Sequence, residues 1–208
     1  MKDFHSRVET AVAALRAGGL VMLVDEAGRE DEGDLVVAAE FAEARHFTLM
    51  AERCRTLATL PMTGTRLDEL GIPMMVERNT SRYTTPFTMS VDVLAGTTTG
   101  SSAVDRALTV RALLDPRTKL ADFAVPGHVF PLRADADGVF GRMGHTEGAV
   151  DLLGIAGLYP AALISEAQGA DGAMLHGAAL RGLARECAAP LVAVTDIKLW
   201  RAEERVAE

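Results

Sequence analysis

Apolar positions recur along this chain with two periods, one helical and one extended. Between residues 3 and 17, Phe4, Val8, Val12 and Leu15 fall on a single helical stripe. Gly18-Gly19 ends that helix, because glycine accepts the left-handed cap conformation. Leu20-Val21-Met22-Leu23-Val24 is a short continuous apolar run, the pattern of a strand buried on both faces. A loop from Asp25 to Asp34 leads to a second such strand over 35–39, and a helix follows over 41–53. Residues 56–61 read as a strand and 65–70 as a short helix. The alternation in 87–93 predicts a half-buried strand. A helix over 102–114 opens with Ser102 and Asp105 as an S-x-x-D cap and closes before Pro116. Segments 129–134 and 139–142 flank Asp135-Ala136-Asp137-Gly138 and predict a hairpin. The remainder predicts a helix over 146–158, a strand over 161–165, a helix over 177–188, a strand over 191–194 and a last helix over 196–205. Strands and helices mix without strict alternation. The expected fold is therefore α+β, a three-layer α/β/α sandwich around a mixed twisted sheet, with residues 1–208 as a single domain.

Composition narrows the function. The chain has 208 residues, 49% of them apolar, enough for a real core without a metal or disulfide staple. Acidic residues number 29 and basic residues 21, a net charge of −8, which argues against nucleic acid or an anionic membrane as partner. Cys54 and Cys187 form no CxxC pair, and two thiols suit a reducing cytoplasm. No apolar run approaches the roughly 18 residues of a membrane span. Met1–Ser6 lacks the apolar stretch of a signal peptide. Dinucleotide-binding, Walker, zinc-protease and serine-hydrolase strings are absent.

Five constellations could carry chemistry. Six of the ten residues from Asp25 to Asp34 are acidic. Such a loop is either a solvated turn or a site where a cation relieves the repulsion, and hard divalent cations prefer oxygen ligands. Arg142-Met143-Gly144-His145-Thr146-Glu147 opens a helix, where free N–H groups and the dipole suit a phosphate. There His145 is a metal ligand, an acid/base or a surface residue. His128, on a tight turn entering a strand, is either structural or functional. Glu166 ends an apolar strand and is either partly desolvated, and so suited to proton transfer, or exposed. The hydroxyl-rich run 97–102 binds an oxyanion or simply caps a helix. His5, His46 and His176 read as surface.

Taken together, these strings resemble the 3,4-dihydroxy-2-butanone 4-phosphate synthases of riboflavin synthesis. The resemblance rests on Arg29-Glu30-Asp31-Glu32-Gly33-Asp34, on Pro73-Met74-Met75-Val76-Glu77-Arg78-Asn79-Thr80-Ser81, and on 98–106. Pro126-Gly127-His128-Val129-Phe130-Pro131-Leu132-Arg133, Arg142–Glu147 and Glu166 follow in order. It implies conversion of D-ribulose 5-phosphate to 3,4-dihydroxy-2-butanone 4-phosphate and formate with Mg²⁺ or Mn²⁺, by enolisation, dehydration, skeletal rearrangement and C–C cleavage. It further implies that Glu30 and His145 bind the metal. Arg29, Asp34, Thr99, Ser102, Arg142, Gly144 and Thr146 would bind substrate. His128, Glu166, Glu32 and Asp25 would serve catalysis. A homodimer with interface active sites is implied as well, His128 then being able to serve the neighbour's site.

The chain departs from the family pattern in places. Glu52-Arg53-Cys54-Arg55-Thr56-Leu57-Ala58-Thr59 replaces a glycine-bearing segment, with Thr59 at the family cysteine. Tyr83-Thr84-Thr85-Pro86-Phe87 and Val125 depart too. Two alternatives to the synthase therefore stand: a same-fold enzyme making another product from a sugar phosphate, or a non-catalytic metal- or phosphate-binding protein.

Overall fold

The computed structural model describes residues 4–25 and 31–207. Its centre is a mixed four-stranded sheet built from β1 (Val21–Val24), β2 (Gly33–Ala38), β7 (Ala162–Glu166) and β8 (Leu191–Ala193), in the order β7-β2-β1-β8. β1 is antiparallel to β2 and parallel to β8, and β2 is antiparallel to β7.

Side chains alternate across these strands and bury both faces. Val21, Leu23, Val36, Ala38, Ala162 and Ile164 face a layer of three helices. These are α1 (Phe4–Arg16), α5 (His145–Ile155) and α7 (Val194–Ala207). Met22, Leu35, Val37 and Leu163 face the opposite way, into the larger core. That core is covered by α2 (Ala44–Arg53), α3 (Gly64–Leu70), α4 (Ala103–Leu114) and α6 (Gly177–Glu186). It also holds two small ladders. One is a parallel pair of β3 (Leu60–Thr63) with β6 (Pro131–Ala134); the other is an antiparallel pair of β4 (Val91–Val93) with β5 (Phe123–Val129). Among the described residues, no helix is long and apolar enough to cross a membrane.

Four expectations change. The hairpin over 129–142 does not form. β6 pairs with β3, and 138–140 make a 3₁₀ turn instead of a return strand. The reason is tertiary: the Val139 amide donates to Asp151 on α5 at 2.8 Å, and the Val139 side chain is fully buried against the helix layer. The strand expected over 56–61 begins later, at Leu60, because 54–59 are tied sideways to 164–168. The strand expected over 87–93 is regular only from Val91, while Phe87 and Thr88 make isolated bridges to Leu132 and Met74. His46 is not a surface residue. It is buried, its Nδ1 accepts the Glu43 amide at 3.0 Å, and burial lowers its pKa.

Candidate active site

Two strand ends and one helix start meet at a narrow cleft of about 130 Å³. Asp34 on β2 lies opposite Glu166 on β7, so the antiparallel register sets two carboxylates side by side. Asp34 is only 2% exposed, whereas Glu166 is exposed at the end of its strand. A buried carboxylate needs a compensating partner. His145, the first residue of α5, supplies one: it is 6% exposed and its Nδ1 lies 3.1 Å from Asp34 Oδ1. Thr146, also buried, lines the same cleft with Arg142.

The start of α5 is shaped for an anion. Its N-cap is Gly144, so no side chain occupies the first-turn amides. Glycine is also the residue that leaves room there: a Cβ at Gly144 would overlap the Arg142 guanidinium. Arg142 Nη1 donates to Glu147 Oε2 at 2.8 Å, and Nη2 donates to the Tyr83 carbonyl at 3.2 Å. Glu147 is fully buried, and its other oxygen accepts the Asp135 amide at 3.2 Å. Arg142 is thus held at two points between the narrow cleft and a wider cavity of about 680 Å³.

The departing segment 52–59 contributes Leu57 and Thr59 to one wall of the cleft. Arg55 takes a left-handed φ of 63° and donates to the carbonyls of Arg53 and Gln168, each at 3.0 Å. Thr56 Oγ1 donates to the Glu166 carbonyl at 2.6 Å. Leu57 and Thr59 face the cleft, while Cys54 behind them is fully buried, and burial pushes its thiol pKa up to about 12. That thiol is inert at neutral pH.

His128 lies elsewhere. It sits on β5, is not part of the cleft lining, and its side chain is 49% exposed. Its Nδ1 is 2.6 Å from Asp92 Oδ2 on β4, and its amide donates to Asp92 Oδ1 at 2.8 Å. Gly100 packs against Asp92, which brings the 98–102 turn to this second cluster. Within that turn Ser102 Oγ accepts the Asp105 amide at 3.0 Å as the cap of α4, and Thr99 Oγ1 lies 3.2 Å from Ser101 Oγ. Thr98 Oγ1 donates to Asp105, and chiefly this bond lowers the Asp105 pKa.

The residues expected to form a site therefore divide. Asp34, Arg142, His145, Thr146 and Glu166 line one cleft, with Gly144 beneath the arginine. His128, Thr99 and Ser102 belong to the second cluster. Asp25 and Glu32 close the neck of the acidic loop, where the Glu32 amide donates to Asp25 Oδ1 at 2.8 Å. Arg29 and Glu30 lie outside the described residues, and among the described residues no group of three His, Cys, Asp or Glu side chains converges as a metal site. Asp92 and Glu147 have no role in the sequence reading. The signal for both is a carboxylate set within an otherwise apolar element, in Ser90-Val91-Asp92-Val93 and at the start of α5.

Known proteins resemble this chain over nearly its whole length. Residues 9–200 match the family model for 3,4-dihydroxy-2-butanone 4-phosphate synthase. A protein of that name from Agrobacterium fabrum is 43% identical over 203 residues, covering 98% of this chain and 95% of its own. The riboflavin biosynthesis protein RibBA of Synechocystis is 46% identical over 196 residues, covering 93% of this chain, which spans only 35% of that longer protein. A crystal structure of a 3,4-dihydroxy-2-butanone 4-phosphate synthase in complex with two magnesium ions superposes with a TM-score of 0.85 at 37% identity. That match covers 91% of this chain and 94% of the other.

Proposed function

This chain belongs to the 3,4-dihydroxy-2-butanone 4-phosphate synthase family, and we propose that its β2–β7–α5 cleft is where D-ribulose 5-phosphate becomes 3,4-dihydroxy-2-butanone 4-phosphate and formate. The enzyme is a metal-dependent carbon–carbon lyase of riboflavin biosynthesis. The observation that carries the assignment of the cleft is the meeting of a buried Asp34–His145 pair, the Glu166 carboxylate and the open start of α5.

Each part suits one demand of the reaction. Arg142, Thr146 and the first amides of α5 grip the phosphate, a dianion that a helix start and a guanidinium both favour. Asp34 and Glu166, adjacent across two strands, hold the sugar hydroxyls, with Glu166 exchanging protons as enolisation and dehydration proceed. Asp25 and Glu32 set the neck of the loop that carries Arg29 and Glu30. Carboxylate oxygens suit a hard divalent cation, Mg²⁺ or Mn²⁺, and the buried imidazole adds a borderline nitrogen donor. In this reading His145 and Glu30 are its protein ligands and Arg29 adds to the substrate grip. A bound cation stabilises the negative charge that builds on adjacent substrate oxygens.

His128 and Thr99 lie outside this cleft within one chain, and Ser102 lies with them. Around them Leu94, Val104 and Val125 are 59%, 60% and 41% exposed. Apolar surface of this kind suits a contact with a second copy. We propose a homodimer in which the His128 cluster of one subunit completes the cleft of the other. The two cores flank one sheet, which supports a single domain over the chain. The free thiols Cys54 and Cys187 suit the cytoplasm.

The test is incubation with ribulose 5-phosphate, with and without Mg²⁺, followed by quantification of every carbon product. One formate per sugar phosphate, appearing only with the cation, is expected. Undiminished turnover in excess chelator would sink the metal assignment. Consumption of the sugar with less than one formate per molecule would favour the same-fold enzyme with another product.

A further inference from the structure

We infer that Thr56 is a positioning residue: its hydroxyl stands in for a ladder amide at the end of β7 and so fixes where the Glu166 carboxylate stands at the cleft. The inference rests on the reading of Glu166 as a proton-transfer residue. Ile164, two residues earlier on β7, exchanges both backbone bonds with Thr59, at 2.9 and 3.0 Å. Backbone groups two residues apart in a strand point to the same edge, so the Glu166 carbonyl faces the same neighbouring segment. That segment has left regular pairing by then, and Thr59–Ile164 is an isolated bridge. Further along the edge the Gln168 amide donates to the Cys54 carbonyl at 2.9 Å. Three residues lie between Ile164 and Gln168, but four lie between Cys54 and Thr59. One extra residue on one side is the mark of a bulge, and Arg55, with its left-handed φ of 63°, turns the chain there. At the level of Glu166 the segment therefore presents a side chain: Thr56 Oγ1 donates to the Glu166 carbonyl at 2.6 Å.

The Thr56 hydroxyl has a single hydrogen, and the bond to Glu166 takes it. Its 2.9 Å contact with Ser165 Oγ is then one that Ser165 donates. Consecutive strand residues point to opposite faces, and Ser165 is 1% exposed while Glu166 lines the cleft. Thr56 thus touches both, the buried hydroxyl by its lone pair and the strand end by its hydrogen. The other edge of β7 is set by β2, where Glu166 pairs with Asp34 and the Ala167 amide donates to the Gly33 carbonyl at 2.9 Å. Among the described residues, Thr56 bridges the stretch between Ile164 and Gln168 where the outer ladder is interrupted. Held from both edges, the last residue of the strand has a fixed Cα–Cβ direction, and the reach of its carboxylate over the cleft is fixed with it. A hydroxyl placed only to satisfy Ser165 would not need to reach the Glu166 carbonyl as well.

The experiment compares Thr56→Val, Thr56→Ser, Glu166→Gln and the Thr56→Val/Glu166→Gln double variant in the full chain, with Mg²⁺ and ribulose 5-phosphate. Val keeps the shape and loses the hydroxyl, whereas Ser keeps the hydroxyl. Circular dichroism checks that each variant folds, and Thr56→Ala takes the place of Thr56→Val should Val not fold. Thr56→Val is expected to lower kcat about 10-fold while KM stays within about twofold, because the carboxylate is misplaced and the phosphate grip is untouched. Thr56→Ser is expected to keep kcat within about twofold of the wild type, a rescue that packing alone does not predict. The double variant is expected to be no slower than Glu166→Gln alone, because Thr56 acts through that residue. Wild-type kcat in Thr56→Val, or a loss in Thr56→Ser as large as that in Thr56→Val, beside an impaired Glu166→Gln, would overturn this inference alone. A further loss in the double variant would overturn it as well. Full activity of Glu166→Gln would overturn both this inference and the catalytic reading of Glu166.

Discussion

The cleft and the His128 cluster hold the same residue types, a histidine beside an aspartate, in opposite settings. In the cleft, Asp34 and His145 are both buried, and the pair is fixed by a sheet strand and a helix start that themselves belong to the core. In the cluster, the Asp92–His128 pair sits on a two-stranded ladder, and the histidine is half exposed. Burial strengthens the electrostatic coupling of the first pair and restricts its solvent access. Exposure leaves the second pair free to meet a group from outside the subunit. On the proposed homodimer, one chain carries a rigid half-site and a presented half-site, which the second subunit would unite.

The sharpest way to break that comparison is subunit complementation. His128→Ala and Glu166→Gln are each expected to lower turnover by about 10²-fold or more, the scale of a lost general acid or base. If the two regions act on one substrate across the dimer, co-refolding the inactive variants restores one intact site in each mixed dimer. Random assortment then returns about a quarter of wild-type activity. No recovery, in mixtures shown to contain mixed dimers, would place both residues in a single-subunit site.

Much of the cleft was legible in the sequence, and the cluster was not. Asp34, His145 and Glu166 stand at ends of elements with strong hydrophobic periodicity, so placing β2, α5 and β7 also placed them. The carboxylate pairing needed only the strand register. The cluster depends on long-range pairing that no local period encodes. β5 contains Pro126 and Gly127 and lacks a regular alternation of apolar and polar residues, so it reads as a turn rather than a strand. The hairpin over 129–142 failed for a related reason. Its turn chemistry is real, but burial of Val139 and the Asp151 contact outweigh local propensity. Arg29 and Glu30 lie outside the described residues, so their part in the site rests on the sequence alone.

A smaller effect sharpens the contrast by testing how rigid the cleft is. Glu147 is fully buried and holds Arg142 from behind. Glu147→Gln removes the charge, and its amide nitrogen cannot accept from Asp135 as the carboxylate oxygen does. KM should rise about 10-fold, equivalent to about 1.4 kcal/mol, with a lesser change in kcat, because the phosphate grip rather than the chemistry is loosened. Chemical denaturation should show a loss of about 1–3 kcal/mol from the imperfectly satisfied buried group. A fall in kcat at constant KM would move the Arg142–Glu147 pair from binding to the reaction itself.

The smallest effect at neutral pH comes from Cys54, behind the cleft wall, and it probes whether that wall belongs to the core. Burial raises the thiol from 9.0 to about 12, with nearby Cys187 and Asp34 adding to the rise. Below pH 9 the thiol is protonated in both the folded and the unfolded chain, so its stabilising contribution is fully present. Between pH 9 and 12 the unfolded chain releases the proton while the folded chain retains it. Unfolding is then favoured increasingly as pH rises, by up to about 1.4 kcal/mol per pH unit for one group. Cys54→Ala lacks this dependence but leaves a small cavity, which costs about 1 kcal/mol. Equilibrium denaturation should therefore find the variant less stable at pH 7 and the gap closing by about pH 10. Cys187 and Tyr159 also have raised pKa values, but they titrate alike in both proteins and cancel in the difference. Parallel stability curves up to pH 11 would mean that solvent reaches Cys54, and the wall carrying Thr56 and Thr59 would then be a mobile flap instead of an extension of the core.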